Sequence, residues 1–389
     1  ITNFSSMKRV HTRNNLAGRL IGICSDNSRE SATNQSIYSL RGICGIEATH
    51  NDYLKGEYGW KERYFSGDGK VIPMPGTREK SVKNGNSVKL TIDADFQEVV
   101  EKNLKLGLEK YKAQNAIAVF MNPSNGEIIA MSGVSAKNEN LSEMEIRALP
   151  NLPTTFNFEP GSTMKVFTSL LAIEDNLYKW NEKIDCKEYK IGRRRIKDAH
   201  EYKFLSHRDI IAYSSNVGIS KIVEKVGANK LYNRLIEFGF GNKTGSGLAG
   251  ESNGFLAKVN AWQGYSLHSI SFGQELSVTA LQLANAYCTL ANGGNVMRPI
   301  IVKEILDNEG NIIEIFEPRI LRKVSDTKSL DSLKSYMRSV VDYGTASGLK
   351  VNGISFAGKT GTAEKVEKGK NVYSKEKYIA SFAGYFPAD

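Results

Sequence analysis

A chain of 389 residues is too long for one ordinary hydrophobic core, so two or more domains are expected. Its 40% hydrophobic and 24% charged residues describe a folded soluble polypeptide and exclude a disordered one, while a net charge of +10 favours anionic partners. The basic residues are scattered apart from Arg193-Arg194-Arg195 and the stretch 368–377. Neither run is accompanied by a nucleic-acid-binding motif, which places a nucleic-acid binder last among the readings.

Residues 1–85 mix a strand-like run (16–24), polar loops (25–35) and a helix-like segment (45–54), with turns at Gly56-Glu57-Tyr58-Gly59 and Gly67-Asp68-Gly69. They read as a small α+β module without catalytic signal, closed by Lys83-Asn84-Gly85-Asn86. The chain begins at Ile1 and shows neither a signal peptide nor a membrane span, so it is expected to be a fragment whose anchor lies upstream. The cysteines at 24, 44, 186 and 288 make no C-x-x-C pair, and the histidines make no H-E-x-x-H constellation, so no metal is expected. Whether Cys24 and Cys44 are bridged is open at this level.

From residue 88 the pattern sharpens. A strand (88–93) precedes an amphipathic helix (96–111), and Asn122-Pro123-Ser124-Asn125-Gly126 joins two apolar runs, 116–121 and 127–131, as a hairpin. A polar connection (133–150) leads to Phe158-Glu159-Pro160-Gly161-Ser162-Thr163-Met164-Lys165, which opens a helix apolar around most of its circumference and therefore buried. A solvated hairpin (185–198), a short helix (208–217), a helix (221–238), a Gly-rich loop (239–250) and a helix (279–290) follow. The runs 299–305 and 311–316 pair across Asp307-Asn308-Glu309-Gly310; a helix (328–341) and two strands (355–365 and 377–386) end the chain. Strands, then helices, then strands again predict an α+β domain over 86–389, in which one antiparallel sheet, completed by the chain's end, packs beside helices.

Three polar groupings carry chemistry. Ser162 sits at the start of the buried helix with Lys165 one turn on and on the same face; a desolvated lysine has a lowered pKa and can take the proton of a serine nucleophile. The blander alternative makes Ser162 a helix cap and Lys165 a snorkelling surface residue. Ser214 and Asn216 lie in a turn where a hydroxyl and a carboxamide can face one cleft, one relaying a proton and the other holding a peptide group. Lys359-Thr360-Gly361-Thr362, on a predicted strand, offers a cation and two hydroxyls to a carboxylate, with Gly361 leaving room for a ligand backbone alongside.

In this order the three groupings match the S-x-x-K, S-x-N and K-T-G set of penicillin-binding proteins and class A β-lactamases. Other Ser-x-x-Lys pairs, Ser25-Asp26-Asn27 and Lys243-Thr244-Gly245 fail on order or context. The chain resembles the class B penicillin-binding proteins, monofunctional peptidoglycan D,D-transpeptidases, over about Gly45 to Asp389. Further motifs carry the likeness: Gly45-Ile46-Glu47, Leu90-Thr91-Ile92-Asp93, Asn125-Gly126-Glu127, Phe238-Gly239-Phe240-Gly241, Ala291-Asn292-Gly293-Gly294 and Gly344-Thr345-Ala346. The segment 269–279 resembles the septal branch more than the elongation branch.

The resemblance implies a penicillin-binding/serine β-lactamase-like fold behind a pedestal module (1–85), with Ser162 as the acylated nucleophile and Lys165 as its base. It implies that Ser214 relays protons to the leaving group and Asn216 binds the donor peptide amide. Lys359, Thr360 and Thr362 would serve proton transfer and carboxylate recognition, and the backbone N–H groups of Ser162 and Thr362 would form the oxyanion hole. It implies no cofactor, acylation of Ser162 by β-lactams, a membrane-embedded SEDS-type glycosyltransferase and other division proteins as partners, and an extracytoplasmic catalytic domain. Three departures stand out: the family's membrane anchor is missing, so is its opening Arg-Gly-x-Ile motif, for which Arg41-Gly42-Ile43 is out of place, and the chain stops before the closing strand and helix. The rivals are a β-lactamase or D,D-carboxypeptidase and a non-catalytic division scaffold.

Overall fold

The computed structural model describes residues 9–30, 36–57, 59–366 and 373–388. Its N-terminal part contains an antiparallel hairpin, Cys24–Glu30 with Ser36–Gly42, between two short helices, Gly18–Ile21 and Gly45–Thr49. The run 16–24, expected as a strand, instead holds the short helix Gly18–Ile21, and a strand begins only at Cys24. Ala17 and Leu20, three apart, point the same way into the core, and Gly22 at φ 83 ends the turn. Beyond Gly56 the chain forms a narrow arm of two-residue ladders, Trp60–Lys61 with Glu79–Lys80 and Tyr64–Phe65 with Val71–Ile72, whose aromatic and aliphatic side chains stay exposed. The cysteines are free thiols, so Cys24 and Cys44 are not bridged.

This N-terminal part is fastened to the rest by packing as well as polar contacts. Ala17, Leu20 and Ile46 share a core cluster with Ile128, Met131, Leu281 and Ile305. Glu101 accepts from the Ala17 amide at 2.9 Å, Tyr53 donates its hydroxyl to Glu314 at 2.6 Å, and the buried Arg147 donates to the Asn14 carbonyl. Ser87–Leu90 pairs with Val302–Leu306, which pairs in turn with Ile312–Ile315, so a strand near residue 88 is stitched to the hairpin expected at 299–316.

Two further hairpins, Asn115–Met121 with Ile128–Ser135 and Ala357–Val366 with Tyr373–Tyr385, stand where strands were expected. They exchange no ladder bonds with each other among the described residues, in contrast to the single sheet expected. The helix Ala280–Ala291 packs against both and joins them. That helix begins with a capping box, Thr279 accepting from the Gln282 amide and the Gln282 side chain returning to the Thr279 amide.

The main core surrounds the helix Lys165–Glu174, whose residues 165–172 are all buried. Phe167 meets Phe238, Phe240 and Tyr287 edge-on at 4.8, 5.2 and 5.9 Å, so the Phe-Gly-Phe-Gly turn closes one side of this core. Truncating such a ring typically costs about 3–5 kcal/mol. The expected helix over 221–238 is two helices, Asn216–Val226 and Ala228–Glu237, broken at Gly227 with φ 85. A left-handed residue there cannot continue the helix, and it swings Leu231 and Leu235 into the same core.

Candidate active site

Three elements of the chain come together here. The first is the turn Pro160-Gly161-Ser162, which runs as a 3-10 turn, Gly161–Met164, into the Lys165–Glu174 helix. Gly161 has φ 57, and a side chain there would stand 2.9 Å from the Thr362 carbonyl. Only glycine lets this turn lie against the strand Ala357–Val366. The Gly161 amide donates to the Gly273 carbonyl at 3.0 Å, and the buried Tyr287 hydroxyl donates to the Thr163 carbonyl at 2.8 Å, so the turn is fixed from both sides. The Ser162 side chain caps neither this turn nor the helix, and it is half-buried. Lys165 is wholly buried, so it does not snorkel.

The second element is the turn between the helices His207–Ala212 and Asn216–Val226. Ser214 holds φ 62, a left-handed conformation that costs a non-glycine residue on the order of 1 kcal/mol or more. Lys165 Nζ holds it there, donating to the Ser214 carbonyl at 2.6 Å, to Ser214 Oγ at 3.1 Å and to Asn216 Oδ1 at 2.7 Å. Among the described residues these three bonds are all that the Lys165 amine makes. Burial pushes this amine down from the ordinary lysine value to about 7, while the charge of Asp198 pulls the other way. Close to neutrality the amine therefore exists in both forms, as a base must.

Asp198, at the end of the hairpin Tyr189–Ile191 with Arg194–Ile196, was not anticipated from sequence. One of its oxygens accepts from the Asn216 amide at 2.5 Å and the Val217 amide at 3.0 Å; the other accepts from the Ser215 hydroxyl at 2.5 Å. Ser215 itself caps the helix through the Gly218 amide at 2.8 Å. The carboxylate thus sits on the positive end of that helix and fixes the turn that carries Ser214 and Asn216. No local pattern marks it, because its partners lie 17–19 residues along the chain. Asp198→Ala leaves two helix-start amides without acceptors. It is expected to lower stability by about 2 kcal/mol and to slow any acylation of Ser162 about tenfold or more. Thermal unfolding beside an acylation time course checks both; unchanged acylation in a destabilised variant would reduce Asp198 to a cap.

The third element is the strand Ala357–Val366. Lys359 is fully buried, donates to the Thr360 carbonyl at 3.1 Å, and is held well below the ordinary lysine range by burial and then by the nearby Lys165. The charge of one amine disfavours a second charge on the other. Thr362 is exposed, and Thr360 is half-buried with its hydroxyl 2.6 Å from that of Thr345. The absent side chain of Gly361 makes room for the protein itself: a β-carbon there would meet the Pro160 carbonyl at 2.7 Å and Thr163 at 3.0 Å. Its vacancy faces the Ser162 turn and not the open side of the strand, contrary to the expectation that a ligand backbone would use it.

The expected site residues are therefore gathered on three adjoining elements: Ser162 and Lys165, Ser214 and Asn216, and Lys359 to Thr362. Behind them, Ser169 and His207 hydrogen-bond at 2.7 Å in full burial, tying the first element to the second; burial pushes His207 down to about 4, so it stays neutral. The sequence decoy Lys243-Thr244-Gly245 lies in a loop where Glu251 accepts from the amide and hydroxyl of Thr244. No cluster of three or more His, Cys, Asp or Glu suited to a metal occurs among the described residues.

The chain as a whole is similar to proteins of one family. Residues 116–389 match the family described as the penicillin binding protein transpeptidase domain. The chain is 32% identical over 360 residues to penicillin-binding protein PbpB of Mycolicibacterium smegmatis, covering 90% of this chain and 55% of that protein. It is 33% identical over 383 residues to peptidoglycan D,D-transpeptidase FtsI of Buchnera aphidicola, covering 98% of this chain and 63% of that protein. A crystal structure of penicillin-binding protein 3 from Mycobacterium tuberculosis complexed with aztreonam superposes with a TM-score of 0.81 at 26% identity, over 98% of this chain and 81% of that one. The chain thus spans between about half and two thirds of the length of the curated relatives it matches.

Proposed function

This chain belongs to the class B penicillin-binding protein transpeptidases, and we propose that it catalyses D,D-transpeptidation of peptidoglycan stem peptides through an acyl-serine at Ser162. The single observation that carries the reading is the Lys165 amine, desolvated to a pKa of about 7 and bonded to both Ser214 and Asn216, one helical turn from a serine that caps nothing.

In this reading Lys165 accepts the Ser162 proton as the oxygen attacks the D-alanyl-D-alanine carbonyl. The Ser162 and Thr362 amides hold the oxyanion. The proton passes through Ser214 to the leaving nitrogen, the peptide bond breaks, and D-alanine departs. The amine of a neighbouring stem peptide then attacks the ester, gives up a proton by the same route and restores the Ser162 hydroxyl. Asn216 binds the donor peptide amide, while Lys359, Thr360 and Thr362 receive the terminal carboxylate. The aztreonam complex of the mycobacterial protein and the transpeptidase name of the Buchnera relative support a β-lactam-sensitive acyl-transfer site.

Around this chemistry we assign residues 1–85 to a pedestal and 86–389 to the transpeptidase domain. The FtsI relative and the segment 269–279 favour a septal role. No helix among the described residues is long and apolar enough to cross a membrane, so a membrane anchor, an extracytoplasmic site and a SEDS-type partner belong to the proposal as properties of the whole protein.

Intact-mass spectrometry after incubation with benzylpenicillin tests the reading. One stable adduct per chain is expected. Unmodified protein in a solution of hydrolysed drug would favour a β-lactamase, and unmodified protein with intact drug would favour a non-catalytic scaffold.

A further inference from the structure

We propose that Thr345 is a positioning residue of the site, its hydroxyl setting that of Thr360 for recognition of the substrate's terminal carboxylate. The inference rests on the transpeptidase reading above and adds a residue that the three motifs do not contain.

Thr345 lies outside the strand that carries Thr360, in the loop after the helix Thr327–Asp342, yet its Oγ1 is 2.6 Å from Thr360 Oγ1. Its backbone has little freedom. The Gly344 amide donates to the Ser339 carbonyl at 3.0 Å, the Thr345 amide to the Ala212 carbonyl at 3.1 Å, and the Ala346 amide to the Val340 carbonyl at 2.9 Å. A side chain on Gly344 would stand 2.3 Å from the Ala212 carbonyl, so the loop lies directly against the residue two before Ser214. Thr345 is thus held between the end of one helix, the Ser214 turn and the Lys359 strand, while the residue itself remains exposed.

The hydrogen-bond arithmetic supplies the role. Each hydroxyl has one proton and two lone pairs. A bond as short as 2.6 Å between two hydroxyls uses one of their two protons, whichever donates. With Thr345 as the donor, the Thr360 proton stays free for an acceptor, and it is strengthened because its oxygen already accepts a hydrogen bond. Lys359 Nζ reaches Thr360 Oγ1 at 3.5 Å, occupying a second lone pair of that oxygen with a donor. Thr360 Oγ1 then accepts from both Thr345 and Lys359, which leaves its own proton for an anion. Without the Thr345 hydroxyl, Thr360 rotates freely and its proton is no longer committed to the carboxylate.

The test compares wild type, Thr345→Val and Thr345→Ser by stopped-flow acylation, separating the half-saturating concentration from the limiting rate. The probes are benzylpenicillin and its methyl ester, which lacks the anion. For Thr345→Val the half-saturating concentration of benzylpenicillin should rise about 5- to 20-fold, with the limiting rate within about twofold. The ester should react slowly and alike with both proteins, and Thr345→Ser should restore the parent behaviour. Equal losses for drug and ester would mean general damage to the site and overturn the proposal, as would unchanged kinetics in Thr345→Val or failure of the serine rescue. Wild-type protein that forms no adduct at all would instead sink the transpeptidase reading, and this proposal with it.

Discussion

Ser162→Ala is expected to abolish covalent capture of benzylpenicillin while leaving the fold intact. The two halves of that outcome have separate causes. Ser162 Oγ caps neither the 3-10 turn nor the following helix, so removing it orphans no helix-start amide. The turn is held by the Gly161 amide on Gly273, by the Thr163 hydroxyl on the Pro160 carbonyl at 2.9 Å and by Tyr287 on the Thr163 carbonyl, none of which involves the Ser162 hydroxyl. A shift in Tm of no more than about 2 °C follows. The chemistry, in contrast, loses its nucleophile: the hydroxyl bonded to Lys165 is that of Ser214, whose oxygen already accepts a hydrogen bond from the amine. Intact-mass spectrometry of the variant beside wild type reads both, since the protein must be folded for its lack of adduct to count. An adduct that persists in Ser162→Ala would move the nucleophile elsewhere, and Ser214 would be the first place to look.

How far the sequence led is best judged element by element. Hairpins were legible wherever turn chemistry is local: Asn125-Gly126 and Asp307 to Gly310 bend the chain where they stand, and the paired strands follow. The helix 280–291 was legible because cap, apolar face and terminating glycines all agree. The errors fell where a single backbone conformation decides between readings. The helix expected over 221–238 runs through Gly227, yet at φ 85 that residue divides two helices. The 16–24 run is apolar enough for either helix or strand, and only its packing on Ile46 and Met131 selects the helix.

The site divides in the same way. Ser162 and Lys165 were legible because a turn followed by an all-round apolar helix predicts a buried lysine, and burial alone accounts for its lowered pKa. The left-handed Ser214 was not, since nothing in Tyr213-Ser214-Ser215-Asn216 demands it; the demand comes from Lys165, 49 residues earlier. Asp198 was invisible for a related reason, and so was the role of Thr345, although Gly344-Thr345-Ala346 itself stood out as a motif. Each acts on another grouping's residue from a separate loop, Asp198 on Asn216 and Thr345 on Thr360 from 15 residues before it, so local sequence does not show the pairing.

Lys165→Ala is expected to lower the acylation rate by about 10²- to 10⁴-fold, the usual worth of a positioned general base. The pH dependence of the wild-type protein should identify the same group. Only the neutral amine can take the Ser162 proton, and burial places its pKa at about 7. Acylation should therefore fall as pH drops below about 7, approach a plateau above about 8, and lose this ascending limb in the alanine variant. A competing account gives Lys165 only the role of a buried cation that holds Ser214 and Asn216 in place, through the bonds at 2.6, 3.1 and 2.7 Å. The two accounts differ in sign. A holding cation works best when protonated and would make acylation rise toward low pH. Lys165→Arg separates them again, because a guanidinium keeps the charge and the donors but does not deprotonate in this range. Under the base reading it should be nearly as slow as alanine despite a Tm closer to wild type. Substantial acylation by the arginine variant, or a wild-type profile flat from pH 6 to 8, would leave Lys165 a structural role and require another base, for which Lys359, equally buried and also depressed, is the nearest alternative.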